Sequence, residues 1–295
     1  MFNFFKVLFS PVIAILDFIT KYFKTVVFLT IIYFIVDSNS DNINSNNFEV
    51  ANLQKIELVG PILDVSKTLE DINLAKNNPN IKGVLLHVNS PGGAVAPSVE
   101  LAYAIKELKE IKPVVAYASG VMASGSYYAS IWANKIIANP GSMIGSIGVI
   151  MQGFNAQELL DKIGISTQTV KAGKYKESGT PTRQWFDYEE EQLKSVINST
   201  YDMFITDVSN ARNLRKSDHT KFADARIFTG IQAKEVGLVD EVATISFAQE
   251  RLISLSDVQI PIWKKEDRFE KFMDRIISET ASKLSVYFNN TLKAY

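Results

Sequence analysis

The stretch from Tyr117 to Ser130 reads YASGVMASGSYYAS, and small residues dominate it until two tyrosines restore bulk. An apolar run from Val114 leads into it and is typical of a short buried strand. Where such a strand gives way to a helix, the first helical amides have no intrahelical acceptor and attract negative charge. Ser124 is the side chain that this arrangement would expose at the helix start. The alternative is that glycine and alanine serve here only to pack a helix closely on a sheet.

The composition limits the chemistry that is open to the chain. Its 295 residues are 46% hydrophobic, which suffices for a large core, and the net charge of -1 gives no electrostatic case for a nucleic-acid partner. The sequence contains no cysteine, which excludes disulfides, thiolate metal sites and a cysteine nucleophile. Its two histidines are His87 and His219, so a histidine-rich metal site is impossible. We expect no metal and no cofactor, and a base other than histidine for any hydrolytic chemistry.

Residues 1–36 are strongly apolar and predict a membrane anchor. The uncharged run 25–36 is shorter than the ~20 residues that span a bilayer, and Tyr22 and Phe23 extend it. Bases precede the run and acids follow it, which predicts a cytoplasmic N-terminus and an extracytoplasmic domain. No small-residue cleavage site follows, which favours a retained anchor over a cleaved signal peptide or a buried helix of a soluble protein. The charges are Lys6, Lys21 and Lys24 before the run, and Asp37, Asp41 and Glu49 after it.

The rest of the chain divides into a linker, one domain and a C-terminal segment. Residues 37–49 are polar and nearly free of aromatic side chains, which is typical of a flexible linker. Alternating strand and helix patterns predict a single α/β domain over residues 50–262. Residues 263–295 are amphipathic and would suit a membrane surface, a partner subunit or a cap on the domain.

Periodicity predicts several elements within the α/β domain. A helix is expected to begin near Pro97. A long amphipathic helix follows a capping pair formed by Asp187 and Glu190, and its apolar stripe is expected to face the core. Apolar runs predict four further strands at Gln54–Gly60, Ile81–Ser90, Lys135–Ala138 and Ile163–Val170.

The turn at residues 89–93, NSPGG, ends one of these buried strands. Pro91 removes a backbone donor, and the two glycines let another group approach the backbone closely. The amides of Gly92 and Gly93 could therefore hold an oxyanion, although Pro-Gly-Gly by itself is most often only a turn.

A nucleophilic Ser124 would need a general base. Neither a G-x-S-x-G elbow nor an S-x-x-K motif surrounds it. His87 lies in an apolar run, where a core histidine is the simpler interpretation, and His219 lies in a charged segment that is typical of a surface. A buried lysine can lose its proton near neutral pH, because desolvation disfavours the charged form. Spacing alone does not choose among Lys171, Lys174 and Lys176, which share one glycine-containing segment.

Five segments in one order resemble the signal peptide peptidase A family (peptidase family S49) of membrane-anchored serine peptidases, in its short form with one catalytic domain per chain. The similarity covers roughly residues 50–250. It implies a Clp protease/crotonase-like α/β fold, a spiral of ββα units preceded by an N-terminal transmembrane helix. The segments are NSPGG at 89–93, ASGSYY at 123–128, GSIGVIM at 145–151, AGKYKESGTPTR at 172–183 and FTGIQAKEVGLVDE at 228–241.

The resemblance also implies which residues carry the chemistry. The nucleophile of the family matches Ser124. Its general base matches Lys176, because the family's lysine stands three residues after a glycine that is Gly173 in this chain. Ser146 would accept or donate a hydrogen bond at the lysine amine and so orient it. Together these residues would form a Ser/Lys dyad in place of a Ser-His-Asp triad.

The same resemblance assigns the oxyanion to the amides of Gly92 and Gly93. Short-form relatives assemble into a dome-shaped homo-oligomeric ring in which the serine and the lysine come from adjacent subunits. If that arrangement applies here, Ser124 and Lys176 of one chain do not meet, and a monomer is inactive.

The substrates that the resemblance implies are remnant signal peptides in the bacterial cytoplasmic (inner) membrane. They would be cut as extended strands with small or apolar side chains near the scissile bond. One alternative is a Ser/Lys peptidase that cleaves a specific membrane protein partner. Others are a crotonase-type acyl-CoA enzyme, which would need neither Ser124 nor Lys176, and a catalytically silent scaffold of the same fold.

Overall fold

The structure is a computed structural model, and its compact unit spans Ala51–Lys264. Outside that unit, residues 20–30 are helical. The predicted linker and nearly all of the predicted C-terminal segment lie outside the described residues, as does most of the predicted anchor. Within the described part of the chain, no helix is both long and apolar enough to cross a membrane. The structure describes residues 17–18, 20–30, 32–33 and 50–265.

A mostly parallel sheet forms the centre of this unit, which confirms the predicted α/β class. The strands are β1 (Leu53–Val59), β2 (Gly83–Ser90), β3 (Val114–Ala123), β4 (Lys135–Ala138), β5 (Met143–Gly145), β6 (Ile227–Thr229) and β7 (Glu241–Val242). The main path is β1-β2-β3-β4-β7, and β5 pairs with both β3 and β6. Residues 83–86 and 88 of β2 and residues 114–118 of β3 are apolar and buried, as expected of strands covered on both faces.

Helices cover both faces of the sheet. They are α1 (Ser66–Asn77), α2 (Val95–Lys109), α3 (Gly125–Ser130), α4 (Gln157–Lys162), α5 (Asp187–Arg212), α6 (His219–Phe222), α7 (Gly230–Glu235) and α8 (Ile245–Leu255). The larger core cluster includes Leu101, Ile105 and Leu108 of α2, which are buried. A smaller cluster on α8 and the sheet contains Ala248 and Leu252.

The strand β3 changes neighbours half-way along its length. Its residues 115–118 pair with β4, whereas residues 121–123 pair with β5. The second half includes the small residues Ser119, Gly120 and Ala123, which is why the sequence predicted only the apolar run from Val114 as a strand. The carboxyl ends of β2, β3 and β5 consequently lie side by side. The turns that leave these three ends carry the residues of the candidate site.

Two local predictions were wrong. Residues 165–170 have no regular secondary structure and are exposed, because the β-branched stretch that predicted a strand at Ile163–Val170 pairs with no strand of the sheet. The start of α5 is capped one residue earlier than predicted. Phe186 is the N-cap, and its amide donates to Glu189 Oε2 over 2.9 Å, so Glu189 rather than Glu190 closes the first turn.

The apolar stripe of α5 is buried only in its C-terminal half. Phe204, Ile205 and Val208 belong to the larger core, as predicted. Val196, two turns before Phe204, is 47% exposed. The N-terminal half of this helix therefore stands clear of the core of its own chain.

Candidate active site

Ser124 occupies a sharp elbow between β3 and α3. Its backbone has φ 53° and ψ -123°, a conformation that side-chain-bearing residues rarely adopt. Two backbone hydrogen bonds hold it, from the Ser124 amide to Gly145 O over 2.7 Å and from the Tyr128 amide to Ser124 O over 3.0 Å. Ser124 is half-buried between two buried neighbours, so its side chain is accessible at the elbow.

The Gly92–Gly93 turn touches this elbow. It is the turn to which the family resemblance assigns the oxyanion. Gly92 has φ +90°, and a Cβ placed on it would lie 2.9 Å from Ser124 Cβ and 2.5 Å from the amide nitrogen of Gly125. Only a glycine fits this approach. The turn and the nucleophile are therefore in direct contact through bare backbone.

Of the two amides predicted as oxyanion donors, that of Gly92 has a hydrogen-bond partner within the chain. The Gly92 amide already donates to Ser90 Oγ over 3.2 Å. The Gly93 amide takes no part in the bridge to Ile62, whose hydrogen bonds use Ile62 N and Ala94 N instead. A Cβ on Gly125 would lie 3.3 Å from Gly93 N, so the amides of Gly93 and Gly125 are close together.

Gly125 is a residue that the sequence argument did not single out. It opens α3 directly after the nucleophile, and its amide belongs to the first turn, where no intrahelical acceptor exists. A Cβ at this position would lie 2.1 Å from Ser98 Oγ, which explains why glycine stands here. The general rule about orphan amides at helix starts was the signal that could have identified it.

Ser146 follows β5 as Ser124 follows β3. Ala123 pairs with Gly145 in the parallel register, so the two serines leave adjacent positions on strands about 4.8 Å apart. Ser146 also has a left-handed backbone, with φ 49°, and its amide donates to Arg226 O over 2.7 Å. The structure therefore brings the predicted nucleophile and the predicted lysine-orienting serine together.

The three lysines of the glycine-containing segment differ in their contacts. Lys171 Nζ pairs with Glu177 Oε2 at 2.9 Å, and Lys174 Nζ lies 4.3 Å from the centre of the Tyr188 ring. Lys176 is exposed, and among the described residues its amine has no ion pair or hydrogen bond. Among the described residues, those that line the pocket at Ser124 do not include Lys176.

Charged side chains fix the segment that carries these lysines. Arg183 makes a bidentate ion pair with Glu189, with nitrogen–oxygen distances of 2.8 and 2.9 Å, and also contacts Glu177 Oε2 at 3.2 Å. The Arg183 hydrogen bonds lower the pKa of Glu189 to about 2. Hydrogen bonds from Lys171 and then Arg183 lower the pKa of Glu177. The residue after Lys176 is thus tied to the first turn of α5.

A pocket of about 320 Å³, partly open to solvent, adjoins Ser124 and Gly125. Its wall is mainly apolar, and Tyr128 and Phe204 meet edge to face in it with ring centres 4.8 Å apart. The Tyr128 hydroxyl donates to Asp207, and burial together with that carboxylate raises the pKa of Tyr128. The side chains lining the pocket also include Val95, Ser98, Val99, Val149, Thr200 and Met203.

Comparison of the sequence with known proteins identifies the family of this chain. The sequence profile of peptidase family S49 matches residues 106–259, which is more than half of the chain. A candidate protease of Synechocystis is 36% identical over 212 residues, 69% of this chain and 74% of the relative. The chain belongs to peptidase family S49.

Other relatives of this S49 chain are similar over shorter shares of their length. A candidate protease of Methanocaldococcus jannaschii is 45% identical over 186 residues, 63% of this chain and 60% of the relative. The chloroplast serine protease SPPA of Arabidopsis thaliana is 32% identical over 207 residues, 70% of this chain and 30% of the relative. The chain thus spans less than two thirds of several relatives that it matches.

Among solved structures, a mutant of the 1510-N membrane-bound stomatin-specific protease superposes on the S49 chain with a TM-score of 0.49. The identity is 15%, over 73% of this chain and 98% of that one. The S49 profile match includes Ser124, Ser146 and Lys176, whereas Gly92 and Gly93 precede it.

The two histidines of the S49 chain lie away from this site. His87 Nδ1 is 2.5 Å from Glu57 Oε2, and its ring stacks on Tyr117 with centres 5.9 Å apart. His219 contacts Lys216 O at 3.2 Å. Neither lines the pocket at Ser124. In the described part of the chain, no group of three His, Asp or Glu side chains is arranged to hold a metal.

Proposed function

We propose that the chain is a serine endopeptidase in which Ser124 is the nucleophile and Lys176 is the general base. The observation that carries the proposal is the left-handed elbow at Ser124, held beside the Gly92–Gly93 turn and beside Ser146 at an apolar pocket. Membership of a peptidase family supports it. A Clp protease/crotonase-like spiral is the fold that this proposal includes.

The chemistry follows from the positions of these groups. Ser124 Oγ attacks the peptide carbonyl and gives its proton to the neutral Lys176 amine, while the carbonyl oxygen gains the negative charge. The amides of Gly93 and Gly125 stabilise that charge. The lysine then protonates the departing amine, and a water deprotonated by the same lysine hydrolyses the acyl-enzyme. Ser146 orients the lysine amine throughout.

In this proposal Lys176 comes from an adjacent subunit of a homo-oligomeric ring. Residues 149–186, which we call the arm, support this by their exposed apolar side chains. Ile150 is 82% exposed, Phe154 is 81% exposed and Val170 is fully exposed. Monomeric proteins rarely leave so many large apolar side chains in water. A second copy of the chain is the partner that would cover the arm and receive its lysine.

The proposed substrates are extended apolar peptides, specifically signal peptide remnants in the membrane. The apolar wall of the pocket beside Ser124 supports an apolar side chain next to the scissile bond. A relative from Enterococcus faecium is named as a candidate signal peptide peptidase, at 36% identity over 54% of its length. The proposal includes the N-terminal anchor, with the catalytic domain on the extracytoplasmic side of the cytoplasmic membrane.

Turnover of a fluorogenic apolar peptide by the full chain tests the proposal. Ser124→Ala and Lys176→Ala are expected to lower kcat by about 1,000-fold or more, because each removes one member of a dyad. Lys174→Ala is the matched control, since it lies two residues from Lys176 and is expected to retain activity within about twofold. Activity that survives in Ser124→Ala would contradict the proposal.

A further inference from the structure

A fully buried hydroxyl lies two residues after the nucleophile. Ser126 is 0% exposed, and its Oγ lies 2.6 Å from Ser90 O and 2.9 Å from Ala123 N. Ala123 O is a third contact at 3.0 Å. Because a hydroxyl has one proton, it donates along the shorter contact to Ser90 O and accepts from the Ala123 amide. One side chain thus joins the last residue of β2 to the last residue of β3.

An irregular register explains why these backbone groups need a side chain. Val88 pairs with Ala118, and the next pairing joins Ser90 to Met122. A step of two residues on β2 therefore matches a step of four on β3, and the regular ladder is interrupted. Buried backbone donors and acceptors must still find partners. Ser126 supplies a partner at the end of each strand.

The two strand ends that Ser126 joins lead to the two halves of the site. Ser90 precedes the glycine turn, and its Oγ accepts from the Gly92 amide over 3.2 Å. Ala123 directly precedes Ser124. We infer that Ser126 is a positioning residue that fixes the oxyanion turn against the nucleophile. The inference rests on the proposed function, because it concerns the geometry of the same site.

Ser130 provides a matched control one turn later on α3. It is also a serine that is 0% exposed, and its Oγ donates to Ser126 O over 2.8 Å. That bond is an ordinary contact within the helix and reaches neither strand end. Replacing Ser130 by alanine removes a buried hydroxyl and one hydrogen bond without touching the junction of β2 and β3.

The test compares Ser126→Ala, Ser126→Cys and Ser130→Ala in the full chain with a fluorogenic apolar peptide. Ser126→Ala is expected to lower kcat by about 10- to 100-fold with KM within about twofold, because a small displacement of the oxyanion donors weakens transition-state binding more than substrate binding. Ser126→Cys keeps a small polar group that forms weaker hydrogen bonds. Its kcat is expected to lie between those of the wild type and Ser126→Ala. Ser130→Ala is expected to keep its kcat.

The affinity for a peptide aldehyde, compared with that for the peptide alcohol, separates a positioning role of Ser126 from a general loosening of the packing. The aldehyde forms a tetrahedral adduct with a serine, whereas the corresponding peptide alcohol does not. Ser126→Ala should weaken aldehyde binding by about the same factor as kcat and leave alcohol binding unchanged. Unchanged kcat in Ser126→Ala, or an equal loss in Ser130→Ala, would overturn the inference. A wild type without turnover that binds both ligands equally would instead overturn the proposed function, and this inference with it.

Discussion

At Ser124 the backbone conformation itself exposes the proposed nucleophile. A left-handed conformation costs a residue with a side chain about 1–2 kcal/mol, so it persists only where its surroundings enforce it. The enforcement here comes from Gly145 O, which accepts a hydrogen bond from the Ser124 amide, and from Gly92, whose backbone packs against the elbow. Ser146, also left-handed at φ 49°, repeats the device on the neighbouring strand. Two strained serines at adjacent strand ends are the residue-level signature of this site.

Gly92→Ala tests the contact between the glycine turn and the elbow. The new Cβ would lie 2.5 Å from Gly125 N and 2.7 Å from Ala123 O, so the turn must move away from Ser124. We expect kcat to fall by about 100-fold or more, since displacement of about 1 Å at a reacting centre has an effect of that size. Steady-state kinetics and the thermal midpoint of unfolding measure the effect on activity and on stability separately.

Gly164→Ala controls for the backbone conformation alone. Gly164 has φ +72°, close to that of Gly92, but no atom lies within 4 Å of a Cβ built on it. The replacement should cost about 1 kcal/mol of stability through left-handed strain and leave kcat within about twofold. If Gly92→Ala behaved like Gly164→Ala, the turn would not be part of the site.

Among the elements, those with a continuous apolar sequence were the ones that the sequence predicted well. The strand at Lys135–Ala138 has the predicted bounds, and β2 begins two residues after its predicted start. Ile163–Val170 is rich in β-branched residues but has no neighbouring strand, and pairing partners cannot be inferred from one segment alone. The contact of Ser146 with the elbow likewise depends on β5 joining β3, a pairing between distant parts of the chain.

The choice among the three lysines also depends on contacts that one segment of sequence does not reveal. Spacing left Lys171, Lys174 and Lys176 equivalent, and the resemblance to a family selected Lys176. In the structure, the amines of Lys171 and Lys174 contact Glu177 and Tyr188, respectively. Those contacts come from residues that face each other only after the arm has folded onto the start of α5.

The Arg183–Glu189 ion pair predicts how the arm responds to acid. The pKa of Glu189 is about 2 in the folded chain, against an ordinary value of 4.5. The ionised Glu189 carboxylate therefore stabilises the folded arm above pH 4.5. That contribution is lost as the pH falls from about 4.5 toward about 2, because the carboxylate gains a proton. The hydrogen-exchange protection factors of residues 177–190, which divide out the pH dependence of intrinsic exchange, should fall across this range before those of the core strands do.

Glu189→Gln should reproduce at neutral pH the loss of hydrogen-exchange protection that protonation of Glu189 causes in acid. Exchange in residues 177–190 is expected to rise by about tenfold at pH 7, as for loss of a charge-assisted hydrogen bond. Glu190→Gln is the matched control, since it changes the next residue of the same turn, is exposed, and should leave exchange unchanged. Equal effects in the two variants would show that general charge, and not the pair with Arg183, holds the arm.

For the whole molecule, the central question is whether the Lys176 amine of one subunit serves Ser124 of the next. One chain places Ser124 at an apolar pocket and carries Lys176 on the arm, whose apolar side chains Ile150, Phe154 and Val170 are exposed. A homo-oligomer in which the arm of one subunit covers the pocket of the next would complete each site from two chains. Activity would then be a property of the assembly.

Mixing two inactive variants tests this central claim most directly. Ser124→Ala and Lys176→Ala chains, carrying different affinity tags and co-expressed in equal amounts, are each expected to be inactive alone. In mixed oligomers, a site is complete when a Lys176→Ala chain supplies its serine and a Ser124→Ala chain supplies its lysine. Random assembly of equal amounts makes about a quarter of all sites complete in this way. We predict about a quarter of the wild-type kcat per chain. Mixed oligomers that purify through both tags and stay as inactive as either variant would contradict the account.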